Sequence, residues 1–175
     1  PGVKEKAVEL KATLSGVARV KIDDSDKQPG WKFAEHEMRG VPIRLEVGPK
    51  DIEKGQVVLV RRDTREKLFV PMAELETTVA KLLESIHADM LQRALELRES
   101  RTTNALDLDA MGAQLDAKQG FIRGMWCGDR ACEDTIKEKY AATSRCMPFD
   151  AEPIAGTCVC CGKPANKLVI WGRAY

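Results

Sequence analysis

The sequence predicts an α/β (α+β) chain: a mixed-sheet unit first, joined by a long helix to a small α+β unit. Three observations predict it. Val41, Ile43, Leu45 and Val47 alternate with polar partners, and Val57 and Leu59 sit in a second such run, which is the period of a strand. Leu75, Val79, Leu82, Leu83, Ile86, Met90, Ala94 and Leu97 recur at three- and four-residue spacings, which is the period of one long helix. Cys127, Cys132, Cys146, Cys158, Cys160 and Cys161 are the six cysteines, and all lie in the last third of the chain. The expected divisions are residues 1–75, a connecting helix 76–103, and residues 104–175.

The elements follow in order. Residues 3–15 read as an amphipathic helix with Val3, Ala7, Leu10 and Leu14 on one face, stopped by Gly16. Val17 to Ile22 alternates and predicts a strand. Asp23, Asp24 and Asp26 form a polar loop without a second set of ligands to complete a cation shell. A loop ends at Pro29-Gly30, and a helix runs from Trp31 to about Met38. After the strand 41–47, Gly48-Pro49 breaks the ladder, and Asp51 to Lys54 make a helical turn closed by Gly55. The strand from Val57 to Arg62 returns through a hairpin loop at 63–67 to Leu68-Phe69-Val70. Pro71 opens the long helix, which runs from Met72 to about Arg101. Its apolar stripe is an ordinary core face, and His87 within it reads as a packed or surface histidine. Thr102 to Asn104 is expected as a loop, Ala105 to about Lys118 as a helix broken by Gly120, and Phe121 to Trp126 as a strand that delivers Cys127.

Composition sets bounds. The chain has 175 residues, 43% hydrophobic and 31% charged, with a net charge of +1. Those values are ordinary for a folded soluble chain. Residues 1–70 carry 15 Lys+Arg against 12 Asp+Glu, and the remainder 13 against 15. A nucleic-acid partner therefore has to be argued from local placement. No apolar run approaches the roughly 20 residues of a membrane span. No secretory leader is visible, which implies reduced thiols and a cytoplasmic chain.

The cysteine spacing carries the metal chemistry. Cys127 and Cys132 are separated by four residues, Cys158 and Cys161 by two, and Gly162 lets the second turn close around sulfur. Two such pairs in a small segment argue a tetrahedral Zn²⁺ site of four thiolates, the alternative being unliganded buried thiols. The set favoured is Cys127, Cys132, Cys158 and Cys161. Cys160 competes with Cys161, and Cys146 has no assigned role. Four thiolates leave no open position for water, so the site reads as structural. That speaks against a zinc hydrolase or deaminase, which needs an open position and a general base.

Residues 29–62 carry a resemblance. Pro29-Gly30-Trp31-Lys32-Phe33, Glu35-His36-Glu37, Arg39-Gly40-Val41-Pro42-Ile43-Arg44, Gly48-Pro49-Lys50-Asp51 and Lys54-Gly55 stand in one ungapped run before the Val57–Arg62 strand. The run resembles the anticodon-binding domain of prolyl-tRNA synthetase, of the archaeal and eukaryote-like type. The likeness extends to the cysteine pattern, to Thr143-Ser144-Arg145-Cys146-Met147-Pro148-Phe149, and to Trp171-Gly172-Arg173-Ala174-Tyr175. It implies the tRNA(Pro)-recognising and structural C-terminal part of proline–tRNA ligase, a class II aminoacyl-tRNA synthetase. It also implies that the catalytic domain and the first strand of the anticodon-binding unit lie outside these residues. Bound zinc, ATP and Mg²⁺ in the full-length enzyme, a homodimer, and an approach of Tyr175 to the active site come with the same resemblance. The alternative is a free-standing zinc module that binds RNA or protein.

The anticodon of tRNA(Pro) carries two adjacent guanines, in the family the chain resembles. Guanine presents N1–H and N2–H₂ as donors and O6 and N7 as acceptors, read on splayed single-stranded bases. Glu37 and Asp51 are the candidate acceptors, Arg44 and Lys50 the candidate donors, and Arg39 a candidate phosphate contact. Trp31 and Phe33 are stacking candidates that also fit a helix core. For the charged set the plain alternative is surface ion pairing, worth about 0–1 kcal/mol.

Overall fold

The computed structural model describes residues 2–117 and 120–173. The chain divides into two compact units, residues 1–92 and 93–175. The first contains α1 (Val3–Thr13), α2 (Pro29–Met38), β1 (Ile43–Glu46), α3 (Pro49–Glu53), β2 (Gln56–Arg61) and β3 (Lys67–Pro71). Helix α4 (Leu75–Ser100) begins there and ends in the second unit. The second unit continues with β4 (Thr102–Asn104), α5 (Leu108–Ala117), β5 (Phe121–Trp126), α6 (Arg130–Tyr140), β6 (Ala142–Cys146) and β7 (Lys167–Arg173).

In the first unit the sheet order is β1-β2-β3, with both pairs antiparallel. Central β2 is buried from Val57 to Arg61, so Leu10 and Leu14 of the N-terminal helical segment and Leu75 and Val79 of α4 pack on it. Buried Arg61 is satisfied by Asp63 at 2.9 Å and Asp89 at 2.8 Å, with Ser85 Oγ at 3.2 Å. The α4 stripe is buried at Leu75, Val79 and Ile86, and is exposed at Met90 and Leu97. His87 is on the surface.

The α/β class stands, with a correction in this unit. Val17–Ile22 has a strand's alternation but forms no ladder among the described residues. Its first amides bond back to Leu14 O instead, and Val17, Ala18 and Val20 rest on the core by their side chains. Alternation reports a one-sided burial, and pairing needs a neighbour as well. The sheet here is antiparallel throughout, and the mixed sheet lies in the second unit.

The second unit has strand order β4-β5-β7-β6, with β4 parallel to β5 and the other pairs antiparallel. Thr102–Asn104, expected as a loop, is a short edge strand held by β5. The helix expected from Ala105 begins at Leu108, with Asp107 Oδ1 accepting from Ala110 N at 2.8 Å. Trp171, fully buried, anchors the core and donates from Nε1 to Gly124 O at 3.3 Å. Met111, Leu115, Ile136 and Val169 surround it. Asp129 caps α6 by accepting from Ala131 N at 3.0 Å. No helix among the described residues is long and apolar enough to cross a membrane.

Candidate functional site

Three local structures bring the four favoured cysteines together. Strand β5 delivers Cys127. The Asp129 cap starts α6 and sets Cys132 in its first turn. The turn at 158–162 presents Cys158 and Cys161. That turn is closed by Cys158 N to Lys163 O at 2.8 Å and by Gly162 N to Cys158 O at 2.9 Å, with Gly162 at φ 69. Val159 N donates to Met125 O at 2.8 Å and ties the turn to β5.

All four sulfurs lie within 4.8 Å of one another. Cys127 Sγ is 3.7 Å from Cys132 Sγ and 3.8 Å from Cys161 Sγ. A tetrahedron with metal–sulfur bonds of about 2.3 Å has edges of about 3.8 Å, so the arrangement fits Zn²⁺. Burial opposes ionisation at Cys158, but the backbone amides of Cys161 and Cys160 outweigh it and bring the thiol down to about 7. Burial pushes the Cys132 thiol up. A divalent cation is what would hold all four as thiolates. Cys160 packs against the core, and Cys146 is exposed on β6, so neither joins the cluster.

The charged set sits on α2 and its C-cap, β1 and α3, and Glu37, Arg39 and Arg44 are tied into ion pairs. Arg44 donates from Nη1 to Glu37 at 2.9 Å and from Nε to Glu46 at 2.8 Å, and its guanidinium stacks on Phe33 at 3.8 Å. Glu37 also meets Arg65, and Arg65 first and Arg44 second hold its carboxyl below the usual carboxylate range. Arg39 pairs with Glu35 at 2.7 Å on the surface of α2. Asp51 reaches back to accept from Gly48 N at 3.0 Å, the reciprocal half of a capping box. Lys50 is exposed in the first turn of α3, beside Asp51. Trp31 is 51% exposed, with Lys27 Nζ 5.5 Å from its ring. Tyr175 lies outside the described residues.

Sequence reading passed over Arg65. It stands in the hairpin, far from Glu37 along the chain, and only the β1–β2–β3 pairing brings the two together. A signal existed in the run of arginines at 61, 62 and 65, but periodicity does not say which way a hairpin residue turns.

Two family models match. Residues 2–82 match the anticodon binding domain, and residues 108–175 match the C-terminal domain of prolyl-tRNA synthetase. The chain is 57% identical over 174 residues to proline–tRNA ligase from Clostridium botulinum (strain ATCC 19397 / Type A). It is 58% identical over 174 residues to the enzymes so named from Lachnoclostridium phytofermentans and Clostridium novyi. Each match covers 99% of this chain and 36% of the relative, so the chain spans about a third of those proteins' length. On these matches the chain belongs to the prolyl-tRNA synthetase family, its two units being an anticodon binding domain and a prolyl-tRNA synthetase C-terminal domain.

Proposed function

We propose that the chain recognises the anticodon of tRNA(Pro) through its first unit and provides, in its second, a zinc-stiffened structural part of proline–tRNA ligase. The observation that carries this is the constraint on the charged set: Glu37, Arg44 and Asp51 are each fixed by hydrogen bonds at element ends within a domain of the anticodon-binding family.

The ion pairs leave Glu37 able to read a base. A carboxylate has about four acceptor sites, and Arg44 and Arg65 each occupy one. Guanine N1–H and N2–H₂ take the others, while Arg44 and Lys50 face O6 or N7. Asp51 keeps Oδ2 on Gly48 N, and Oδ1, which accepts from Gln56 Nε2 at 3.4 Å, has a further acceptor site to offer. Arg39, at the surface, takes phosphate, and Trp31 stacks a base.

Cys127, Cys132, Cys158 and Cys161 would hold the zinc. With an ion bound there, these thiolates would tie the turn after β5 to the turn at 158–162, and with all four as ligands the site would be structural. In the full-length ligase, ATP with Mg²⁺ would serve a catalytic domain outside this chain, in a cytoplasmic homodimer, with Tyr175 directed to that domain.

The test is binding of tRNA(Pro), and of the same tRNA with its anticodon guanines replaced, to Glu37→Ala and Asp51→Asn. Asparagine keeps an oxygen for Gly48 N and removes only the charge. Each variant is expected to lose roughly 1–3 kcal/mol of preference for the guanine-bearing tRNA. Equal affinities across all pairings would remove the claim of base reading.

A further inference from the structure

Two arginines pair with Glu37, and a third lines a hollow beside it. Arg44 is stacked on Phe33 and bonded to Glu37 and Glu46. Arg65 comes from the hairpin after β2 and is held in a left-handed conformation, φ 65, which arginine rarely adopts. Arg62 lines a hollow of about 10 Å³ together with Phe33, His36, Glu37, Val41 and Arg44. That is room for about one water oxygen. The Nε of Arg62 is buried and has no hydrogen-bond partner among the described residues.

A buried donor in that state calls for an acceptor from outside the chain, a water or the oxygen of an anion. The side chains of Phe33 and Val41 offer none, Arg44 is itself a cation, the His36 ring is tied through Nε2 to Asp23 at 2.8 Å, and Glu37 is engaged by the other two arginines. Three guanidinium groups against Glu37 and Glu46 leave a local excess of positive charge. The Arg65 side chain is 63% exposed, so an anion can reach the cluster from solvent.

We propose that Arg62 and Arg65 form a binding site for a backbone phosphate of single-stranded RNA, with one phosphoryl oxygen entering the hollow at Arg62 Nε. The site rests on the reading that this unit binds RNA. It borders Glu37 and Arg44 but differs in kind from guanine readout, because a phosphate contact carries no sequence information.

Arg62→Met tests it, with an anticodon stem-loop RNA of tRNA(Pro), the same RNA with its guanines replaced, and a range of salt concentrations. Affinity for both RNAs is expected to fall roughly tenfold. The slope of log K against log salt is expected to become shallower by about 0.7. The melting midpoint is expected to hold or rise, since methionine fills the hollow without an unpaired N–H. Arg62→Lys keeps the charge and is expected to keep the slope. Arg65→Gln, on an exposed side chain, should also flatten the slope without loss of fold.

Unchanged affinity and slope in Arg62→Met would overturn the proposal. So would a loss confined to the guanine-bearing RNA, which marks a base contact, or a lower melting midpoint with binding intact, which marks a structural role. Failure of guanine readout looks different: the wild-type chain would bind both RNAs equally, and the salt slopes would still report the phosphate.

Discussion

Removing a metal held by Cys127, Cys132, Cys158 and Cys161 should unfold the second unit at a much lower temperature. The magnitude follows from the cross-link. Cys132 and Cys158 are 26 positions apart (158 − 132). Closing a loop of that length through a covalent-like link withdraws about 3.5 kcal/mol of conformational entropy from the unfolded chain. For a unit of this size 1 kcal/mol moves the midpoint by about 4–8 °C, so stripping the metal should lower it by roughly 15–25 °C. Trp126 reports the change directly, because its Nε1 donates to Asp129 O at 3.0 Å, between Cys127 and Cys132. Near-ultraviolet circular dichroism during a thermal scan reads it, before and after a chelator and in Cys132→Ala. Ligand thiols must lose their protons to bind, so the metal-dependent increment should shrink as pH falls. A stripped chain melting within about 2 °C of the untreated one, with its tryptophan signal intact, would refute the reasoning.

Other perturbations reach the rest of the fold. Asp63→Ala leaves the Arg61 side chain, 9% exposed, with Asp89 as its remaining carboxylate partner, and should cost about 3 kcal/mol in urea unfolding. Ser25 and His36 hold the Asp23 carboxyl well below its ordinary value of 3.8. Its contribution is therefore complete above that value and lost as pH falls below it. Asp23→Asn should be less stable than wild type near neutrality and show a flatter stability profile on acidification; parallel acid limbs would contradict that. Gly112→Ala would drive a Cβ into the ring of Tyr140, so α5 and α6 must part. A loss of about 1–3 kcal/mol is expected, and an unshifted midpoint would contradict the packing.

What the sequence disclosed, and what it hid, follows from how far each signal reaches. The alternation around Leu45 and Leu59, the α4 stripe and the paired cysteines are local patterns, and each matches an observed element or cluster. Strand β7 went unread because Leu168, Val169 and Trp171 are buried on both faces of a central strand, which removes alternation. Strand β4 is three residues long and exists through its pairing with β5. In the charged set, residue types were visible, but their partners were not. Asp51 as a cap and Glu37 as a clamp between Arg44 and Arg65 depend on chain segments brought together by the sheet.

The most direct measurement is equilibrium competition between tRNA(Pro) and the same tRNA with both anticodon guanines replaced, for the unmodified chain at fixed moderate salt. At roughly 1–3 kcal/mol per base contact, the natural anticodon should win by at least about tenfold. Equal occupancy by the two would contradict guanine recognition by this surface.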